Sequence, residues 1–310
     1  MSRPKAFFLN GGAGRILCSI PALEKYAEES GDDDFIIVCE GGTDMFKGHP
    51  TLDGRTYDNW QKNLFKEKLI MRDVVSLEPY RVWEYYNQQC NLSQAFDIEI
   101  NNKGIRDLPK PTLKLNKDEL IQGRQLVGEV KAKIKKEKIV VFQPFGRGIE
   151  HVDGSFVDRT GRSFEYKDIK AIIKQLQQND YGVVLMSEFA LELKEEKLKD
   201  EIAQPTNVQL RTWASIIKYA DYFVGCDSLG QHIAYAVGTK ATVAVGATCP
   251  INISYPESDD IHILDLGEID REYSPIRIVQ DERIDRKNES LMSMTPEIIT
   301  ILINTVIGKE

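Results

Sequence analysis

The sequence predicts an α/β protein of two Rossmann-like, doubly wound parallel-sheet domains facing a cleft. Three observations carry that expectation. Short apolar runs rich in Val, Ile and Phe alternate with segments of helical spacing along most of the chain, and glycine turns close the first two of them. The alternation then restarts after a proline-bearing stretch before residue 116. With 310 residues and 42% apolar content, the chain is long for one small core and sufficient for two ordinary domains.

The first domain is expected over residues 1–115. Lys5-Ala-Phe-Phe-Leu9 reads as a buried strand, the turn Asn10-Gly-Gly-Ala-Gly14 follows, and Ile16 to Glu29 has helical apolar spacing. A second strand, Phe35-Ile-Ile-Val-Cys39, ends in the turn Glu40-Gly-Gly-Thr43, so the chain opens with a βαβ unit. Ligands of such sheets sit at the carboxyl ends of strands, where both glycine turns fall. From His49 to Gln94 the periodicity is weak and the composition aromatic, as in Tyr80-Arg-Val-Trp-Glu-Tyr-Tyr86. That stretch reads either as an elaborated acceptor-side region or as ordinary helices anchored by rings. Ala95 to Ile100 reads as a further short strand. Asp107-Leu-Pro-Lys-Pro111 stiffens the chain at a boundary, and Asn116 with Glu119 forms a variant capping box for a connecting helix over 116–137.

The second domain is expected over residues 138–294. Its elements are the strand Ile139-Val-Val-Phe142, the loop Gln143-Pro-Phe-Gly-Arg-Gly148, a polar stretch to Ser163, a helix from Phe164 to Gln178, and the strand Gly182 to Met186. Then come a charged helix from Leu191 to Ile202, a helix from Thr212 to Tyr219, the strand Tyr222 to Gly225, a helix from Gly230 to Val237 and the strand Ala241 to Val245. Residues 295–310 hold a terminal helix, Pro296 to Ile307, with one apolar face.

Bulk composition removes several function classes. Charged residues make up 28% and aromatics 9%, the balance of a folded globular chain. A net charge of −8 argues against an extended nucleic-acid footprint, and the basic run from Lys131 to Lys138 reads as a solvated helix end. No apolar run approaches the ~18 residues a membrane span needs, and the opening MSRPKAFFLNGG reaches a glycine turn too early for a signal peptide. The expectation is a cytoplasmic protein without membrane insertion. Cys18, Cys39, Cys90, Cys226 and Cys249 are odd in number and set in apolar surroundings, as buried thiols of a reducing compartment are. The four histidines form no metal-binding spacing, so no metal is expected.

The sharpest chemical feature is Gly225-Cys-Asp-Ser-Leu-Gly-Gln-His232-Ile-Ala-Tyr-Ala-Val-Gly238, a strand end, a tight turn and a helix start in succession. Unbonded N–H groups and the positive dipole end at a helix start make a ready diphosphate site. Ser228 is placed to cap that helix, and Gly230 would let the backbone approach an oxyanion. The alternative is that Asp227 and Ser228 are caps and His232 packs.

This segment, continued by Thr239-Lys-Ala-Thr-Val-Ala-Val-Gly-Ala-Thr-Cys-Pro250, resembles the signature of the heptosyltransferase-type glycosyltransferases, glycosyltransferase family nine. Those proteins read Asp-Ser-Gly-x-x-His-x-Ala, then Gly-Thr-Pro, then a strand and Gly-x-Thr-x-Pro. Asp227, Ser228, His232, Ala234, Gly238, Thr239, Gly246, Thr248 and Pro250 fall on matching positions, while Leu229 and Lys240 replace a glycine and a proline. The helix start Ser19-Ile-Pro-Ala-Leu23 is similar to the family's Leu-Pro-Ala-Leu, and Arg162-Ser163-Phe164 stands where the family has Lys-Arg-Trp. The resemblance implies the two-domain GT-B architecture, with a nucleoside-diphosphate sugar in the second domain and the acceptor in the first. The donor-binding residues expected are Gln143, Arg147, Arg162, Ser187, Glu188, Asp227, Ser228, Leu229, Gly230, His232 and Thr248. Gly12, Gly14 and Arg15 are expected on the acceptor or phosphate side.

One departure bears on mechanism. The family places a catalytic Asp directly after the loop glycine of the first strand, where this chain has Arg15, and a guanidinium is no general base. The base is therefore expected at Asp44 or Glu40, after the second strand; Asp153 and Asp158 are further carboxylates to weigh. The implied activity is inverting, metal-independent sugar transfer to an acceptor hydroxyl, with no cofactor beyond the nucleotide-sugar co-substrate. The family builds lipopolysaccharide cores from ADP-heptose; the acceptor expected here is a glycan of lipopolysaccharide type or a hydroxylated DNA base. The alternative is a non-catalytic GT-B module that binds a nucleotide or sugar, which Arg15 favours. A dinucleotide oxidoreductase is disfavoured because the first glycine turn is too short for the Rossmann fingerprint.

Overall fold

The computed structural model describes residues 3–146, 148–152, 155–158, 160–191, 202–271 and 291–309. Two compact units result, Met1–Asn116 and Lys117–Glu310.

The first unit is built on four parallel strands, β1 (Lys5–Leu9), β2 (Ile36–Cys39), β3 (Thr56–Asp58) and β4 (Asp73–Ser76), in the order β3-β2-β1-β4. Helix α1 (Ala13–Glu29) joins β1 to β2. It starts three residues before the predicted Ile16, which puts Gly14 and Arg15 in its first turn. The turn before it needs glycine, because Gly11 has φ +94° and an added Cβ would stand 3.1 Å from the Arg15 Cδ. After β4 the chain forms a short helix α2 (Trp83–Tyr86) and then α3 (Leu92–Asn101), which packs against α1. The predicted strand Ala95–Ile100 lies inside α3. Its alternation of apolar and polar residues imitates a strand, but Asn91 and Gln94 form a complete capping box that starts a helix. Asn101 Nδ2 then donates to the Ala22 carbonyl at 3.0 Å, tying α3 to α1. Of the aromatic stretch, Tyr85 is buried while Trp83 and Tyr86 stay exposed. Leu64 and Leu69, on the segment from β3 to β4, pack against Ala6, Ile36 and Val38 of the sheet.

The second unit begins with α4 (Lys117–Ile134), the predicted connecting helix. The unit's parallel sheet contains β5 (Lys138–Gln143), β8 (Tyr181–Leu185), β9 (Ile202–Ala203), β10 (Tyr222–Cys226), β11 (Ala241–Val245) and β12 (Ile261–Asp265), in the order β12-β11-β10-β5-β8-β9. A two-stranded antiparallel ribbon, β6 (Ile149–Val152) and β7 (Ser155–Asp158), precedes α5 (Tyr166–Gln178). Helices α6 (Leu210–Tyr219), α7 (Leu229–Val237), α8 (Pro250–Ile253) and α9 (Pro296–Ile307) complete the described part. Strands buried on both faces read as continuous apolar runs, as β5, β8, β10 and β11 do. Helix α4 sits against α6 through the Glu119–Arg211 ion pair at 2.6 Å. Gly123 brings the two helices close enough that a Cβ there would stand 2.1 Å from the Ser215 Oγ. The core joins the sheet to α5 and α9 through Ile172, Leu176, Leu302 and Ile303. The predicted helix Leu191–Ile202 falls mostly outside the described residues, and its last residue opens β9 instead.

Candidate functional site

In the second unit the strand order reverses at β5, because β8 lies on one side of it and β10 on the other. Open parallel sheets bind ligands at the carboxyl ends of strands beside such a reversal. Gln143, the last residue of β5, pairs in register with Gly225 of β10, so its side chain reaches the turn that follows β10. Its amide Nε2 donates to Ser228 Oγ at 3.1 Å, and its Oε1 accepts the Gly230 N–H at 2.9 Å. The cap of α7 is thus supplied by the neighbouring strand. The expectation that Ser228 caps with its own side chain is corrected: that hydroxyl makes no capping bond, because the Gln143 amide already holds the first turn.

The reading of Gly230 is corrected for the same reason. Its N–H is occupied by Gln143, and a Cβ would stand 2.3 Å from Gln143 Oε1 and 2.4 Å from the Phe223 Cζ. Glycine is required there by packing. Leu229 is the first helical residue and, like Ser228, half-buried.

Asp227 is the centre of the site. Only 6% exposed, it takes the Gln231 Nε2 on Oδ1 at 3.2 Å and the Thr248 hydroxyl on Oδ2 at 3.0 Å. Arg162, whose side chain is 13% exposed, donates through Nη1 to the Asp227 carbonyl at 3.3 Å and lies 3.7 Å from its Oδ2. Arg162 Nε is held by Thr160 Oγ1 at 3.1 Å. The loop carrying Arg162 is organised by Asp158, which accepts from the Thr160 N–H at 2.8 Å, the Ser163 N–H at 2.9 Å and the Ser163 hydroxyl at 2.6 Å. Burial alone would raise the Asp158 carboxyl, but these hydrogen bonds and Arg162 hold it below the usual carboxylate range. Asp158 therefore fastens a loop.

His232 is buried, with Nδ1 2.8 Å from the Tyr255 hydroxyl and the ring edge-on to Tyr255, which stacks on Tyr235 at 3.7 Å. Burial pulls its pKa down to about 4, against a smaller opposing pull from Asp227, so the ring is neutral at pH 7. Ser187 and Glu188 follow β8; Ser187 Oγ accepts the Phe189 N–H at 3.1 Å and Glu188 is exposed. Arg147 and Asp153 lie outside the described residues.

In the first unit the order reverses at β1, between β2 and β4. Asn10 follows β1, and Leu77 and Glu78 follow β4. Asn10 Nδ2 donates to Glu78 Oε1 at 2.9 Å, and Arg15 Nη2 donates to the Leu77 carbonyl at 2.7 Å while lying 3.8 Å from Glu78 Oε2. The guanidinium also covers the Tyr80 ring at 5.0 Å and the Phe96 ring at 5.7 Å. From α3, Glu99 Oε1 accepts the Glu78 N–H at 3.0 Å. Burial pushes the Glu99 carboxyl up to about 7, with the nearby Glu78 charge adding to the rise; the Glu78 N–H and Arg15 oppose it. Gly12 caps α1 with backbone alone, and Gly14 sits in its first turn. Glu40 and Asp44 are exposed on the loop after β2.

Sequence reasoning thus named Arg162, Asp227, Ser228, Thr248 and Gln143, which the fold brings together. It missed Glu78 and Glu99. The signals were present: Asp73-Val-Val-Ser76 is a short strand closed by Pro79, and Asn91 with Gln94 marks a helix start. Among the described residues, no group of three His, Cys, Asp or Glu side chains could hold a metal ion, and no helix is long and apolar enough to cross a membrane. All five cysteines are buried.

No protein-family model matches the sequence, and no curated protein matches it. Solved structures do. The glycosyl transferase family 9 protein of Veillonella parvula DSM 2008 matches with TM-score 0.67 at 12% identity, covering 99% of this chain and 98% of that one. The E. coli ADP-heptose LPS heptosyltransferase II matches with TM-score 0.65 at 12% identity, over 98% of both chains. The iron-containing dodecameric glycosyltransferase TibC of E. coli H10407 matches with TM-score 0.63 at 12% identity, over 99% of this chain and 77% of that one. The fold resembles that of the glycosyltransferase family nine and heptosyltransferase structures, as the Asp227-to-Pro250 resemblance implied.

Proposed function

We propose that the chain is a glycosyltransferase that moves a sugar from a nucleoside-diphosphate sugar to an acceptor hydroxyl, with inversion and without a metal. The observation that carries this reading is the convergence, at the strand-order reversal of the second sheet, of Arg162, Asp227, Ser228, Thr248 and the first turn of α7. The fold, common to glycosyltransferase structures, supports it.

In this reading the diphosphate is the leaving group. The bond from the anomeric carbon to the β-phosphate oxygen breaks and its electron pair stays on the diphosphate, where charge grows. The amides of the α7 turn other than that of Gly230, which Gln143 holds, and the Arg162 guanidinium meet that charge without a metal ion. Asp227 holds Arg162 and Thr248 in place, which confines the donor groups to one geometry before substrate arrives. Gln143 fixes the α7 turn, and His232, neutral on Tyr255, supports the helix from the packed side. Ser187, Glu188 and Arg147, close in sequence to the carboxyl ends of β5 and β8, are the remaining donor-side residues of the proposal. The acceptor hydroxyl attacks the anomeric carbon from the face opposite the leaving group, which inverts it, and gives up its proton to a carboxylate base.

The E. coli heptosyltransferase is named for ADP-heptose, so adenosine diphosphate is the first ligand to try. The acceptor proposed is a glycan hydroxyl; the net charge of −8 disfavours a DNA acceptor. A thermal-shift panel of ADP, UDP, GDP and CDP tests the donor site, since a ligand that binds only the folded chain raises Tm by mass action. A shift for one nucleotide that Arg162→Ala removes supports the assignment. No shift across the panel sinks it, and tight binding without release of diphosphate from any nucleotide sugar selects the non-catalytic module.

A further inference from the structure

The two sides of the first sheet are covered unequally. On one side lies α1, whose Tyr26 meets Phe7 of β1 ring to ring at 4.9 Å. The other side, with Ala6, Ile36 and Val38, is covered by the connection from β3 to β4, residues 59–72, which has to cross β2 and β1 because the strand order is β3-β2-β1-β4. Parallel strands are usually joined by a helix that packs across the sheet. This crossing has a single π-helical turn, Phe65–Leu69. It gives Leu64 and Leu69 to the sheet and leaves its other large apolar side chains in solvent: Trp60 is 84% exposed, Met71 74% and Phe65 69%, and Ile70 is exposed with them. Val74 of the edge strand β4 is in register with Ala6, so it points to the same side of the sheet, and it is exposed as well. Exposed apolar groups gathered in this way mark an interaction surface.

Charge tells what kind of partner fits. The connection carries Lys62, Lys66, Lys68 and Arg72 against Glu67, a net +3 in a chain of net charge −8. The acidic groups around it are already met. Asp34 pairs with Arg72 at 2.8 Å and Asp73 with Arg3 at 3.8 Å, Glu67 accepts from Asn63 Nδ2 at 3.2 Å, and Asp58 accepts the Trp60 N–H at 2.9 Å. Lys68 lies over the Tyr57 ring at 5.0 Å, while Lys62 and Lys66 stand exposed among the apolar residues. Aromatic and aliphatic groups interleaved with lysines match the boundary between anionic head groups and acyl chains. A nucleic acid could use the rings and the lysines but would leave Ile70, Met71 and Val74 without a partner. A second copy of the chain, docked patch to patch, would set two positive stretches against each other.

We propose that the β3–β4 connection of the first unit docks the protein on an anionic lipid surface, which it lies on without crossing. Trp60, Phe65, Ile70 and Met71 enter the boundary between head groups and acyl chains, and Lys62, Lys66 and Lys68 meet the lipid anions. Leu64 and Leu69 stay on the sheet and hold the segment in place. The docking is independent of the glycosyltransferase reading.

The test is sedimentation of the full chain with vesicles of phosphatidylcholine alone and of phosphatidylcholine with about 30% phosphatidylserine. The parent chain is expected to pellet with the anionic vesicles only, to be released at about 0.5 M salt, and to show a blue shift of tryptophan emission that Trp60→Phe reduces. Lys62→Gln with Lys66→Gln is expected to weaken binding about 25-fold, roughly fivefold per lysine. Phe65→Ser with Met71→Ser is expected to weaken it on the order of 10²-fold. All four positions are exposed, so Tm and any nucleotide shift are expected to match the parent. A parent that stays in the supernatant with anionic vesicles overturns the proposal, as does equal pelleting with phosphatidylcholine alone or binding by both double variants within threefold of the parent. Capture of a single-stranded DNA oligonucleotide in place of the vesicles overturns it in favour of nucleic acid. A dimer in light scattering that Phe65→Ser with Met71→Ser dissolves overturns it in favour of a second copy.

Discussion

The carboxyl edges of the two sheets share a plan and differ in finish. Each lies where the strand order reverses, and each sets an arginine beside a carboxylate, Arg162 with Asp227 and Arg15 with Glu78. In the second unit the carboxylate is sunk and saturated, with Gln231, Thr248 and Arg162 around it. In the first unit it is partly open; both edges carry buried unbonded atoms, Gln231 Oε1 in the second unit and Asn10 Oδ1, Arg15 Nε and Glu99 Oε2 in the first. A saturated, buried pair is rigid and suited to holding fixed donor groups toward an anion. An open carboxylate beside an acid of raised pKa suits proton movement.

That contrast can be broken by substitution. The largest effect is expected from Asp227→Ala, which removes the carboxylate met by Arg162, Gln231 and Thr248 and leaves Asp158 as the charge near Arg162; denaturant unfolding is expected to lose about 3 kcal/mol and the nucleotide shift to vanish. A variant as stable as the parent would show that the second edge is not held by that pair.

Next comes the pH dependence of the second unit's support. The His232 pKa is about 4 when folded against 6.5 for an ordinary imidazole, so its contribution is fully present above pH 6.5 and is lost as pH falls toward 4. The loss is on the order of 3 kcal/mol, because the unfolded chain takes a proton that the folded ring refuses. Unfolding curves of His232→Asn between pH 7 and 4 are expected to lack this slope; an unchanged slope places the proton elsewhere.

Gly230→Ala sharpens the account of α7. A methyl group 2.4 Å from the Phe223 ring and 2.3 Å from Gln143 Oε1 forces both to move. The expected cost is about 2 kcal/mol, net of the better helix propensity of alanine, read from the denaturant midpoint.

The smallest effect belongs to the first edge and has the opposite sign. The Glu99 carboxyl is raised from 4.5 to about 7, so folding is most favourable while it is protonated, and stability declines as pH rises from 4.5 through 7. Glu99→Gln is expected to equal the parent near pH 4.5 and to exceed it by about 1–2 kcal/mol at pH 8, after allowance for partial exposure. A variant less stable than the parent at pH 8 would mean that ionised Glu99 is compensated and that the edge stores no strain.

The sequence by itself determined the strand–helix alternation, the parallel sheets and the α7 turn with its family-like signature. Those features are local: an apolar run, a glycine turn and a capping pair each act over a few residues. Their partners were decided only in three dimensions. Gln143 caps a helix 87 positions away, Arg162 meets Asp227 across 65 positions, and Arg15 meets Leu77 across 62. Glu99 was hidden because alternation over Ala95–Ile100 imitates a strand, and Glu78 because β4 is four residues long. Spacing along a chain reports which face a residue takes on its own element. Which side chain meets it from another element depends on sheet order and register, and those are settled by the packing of the whole unit.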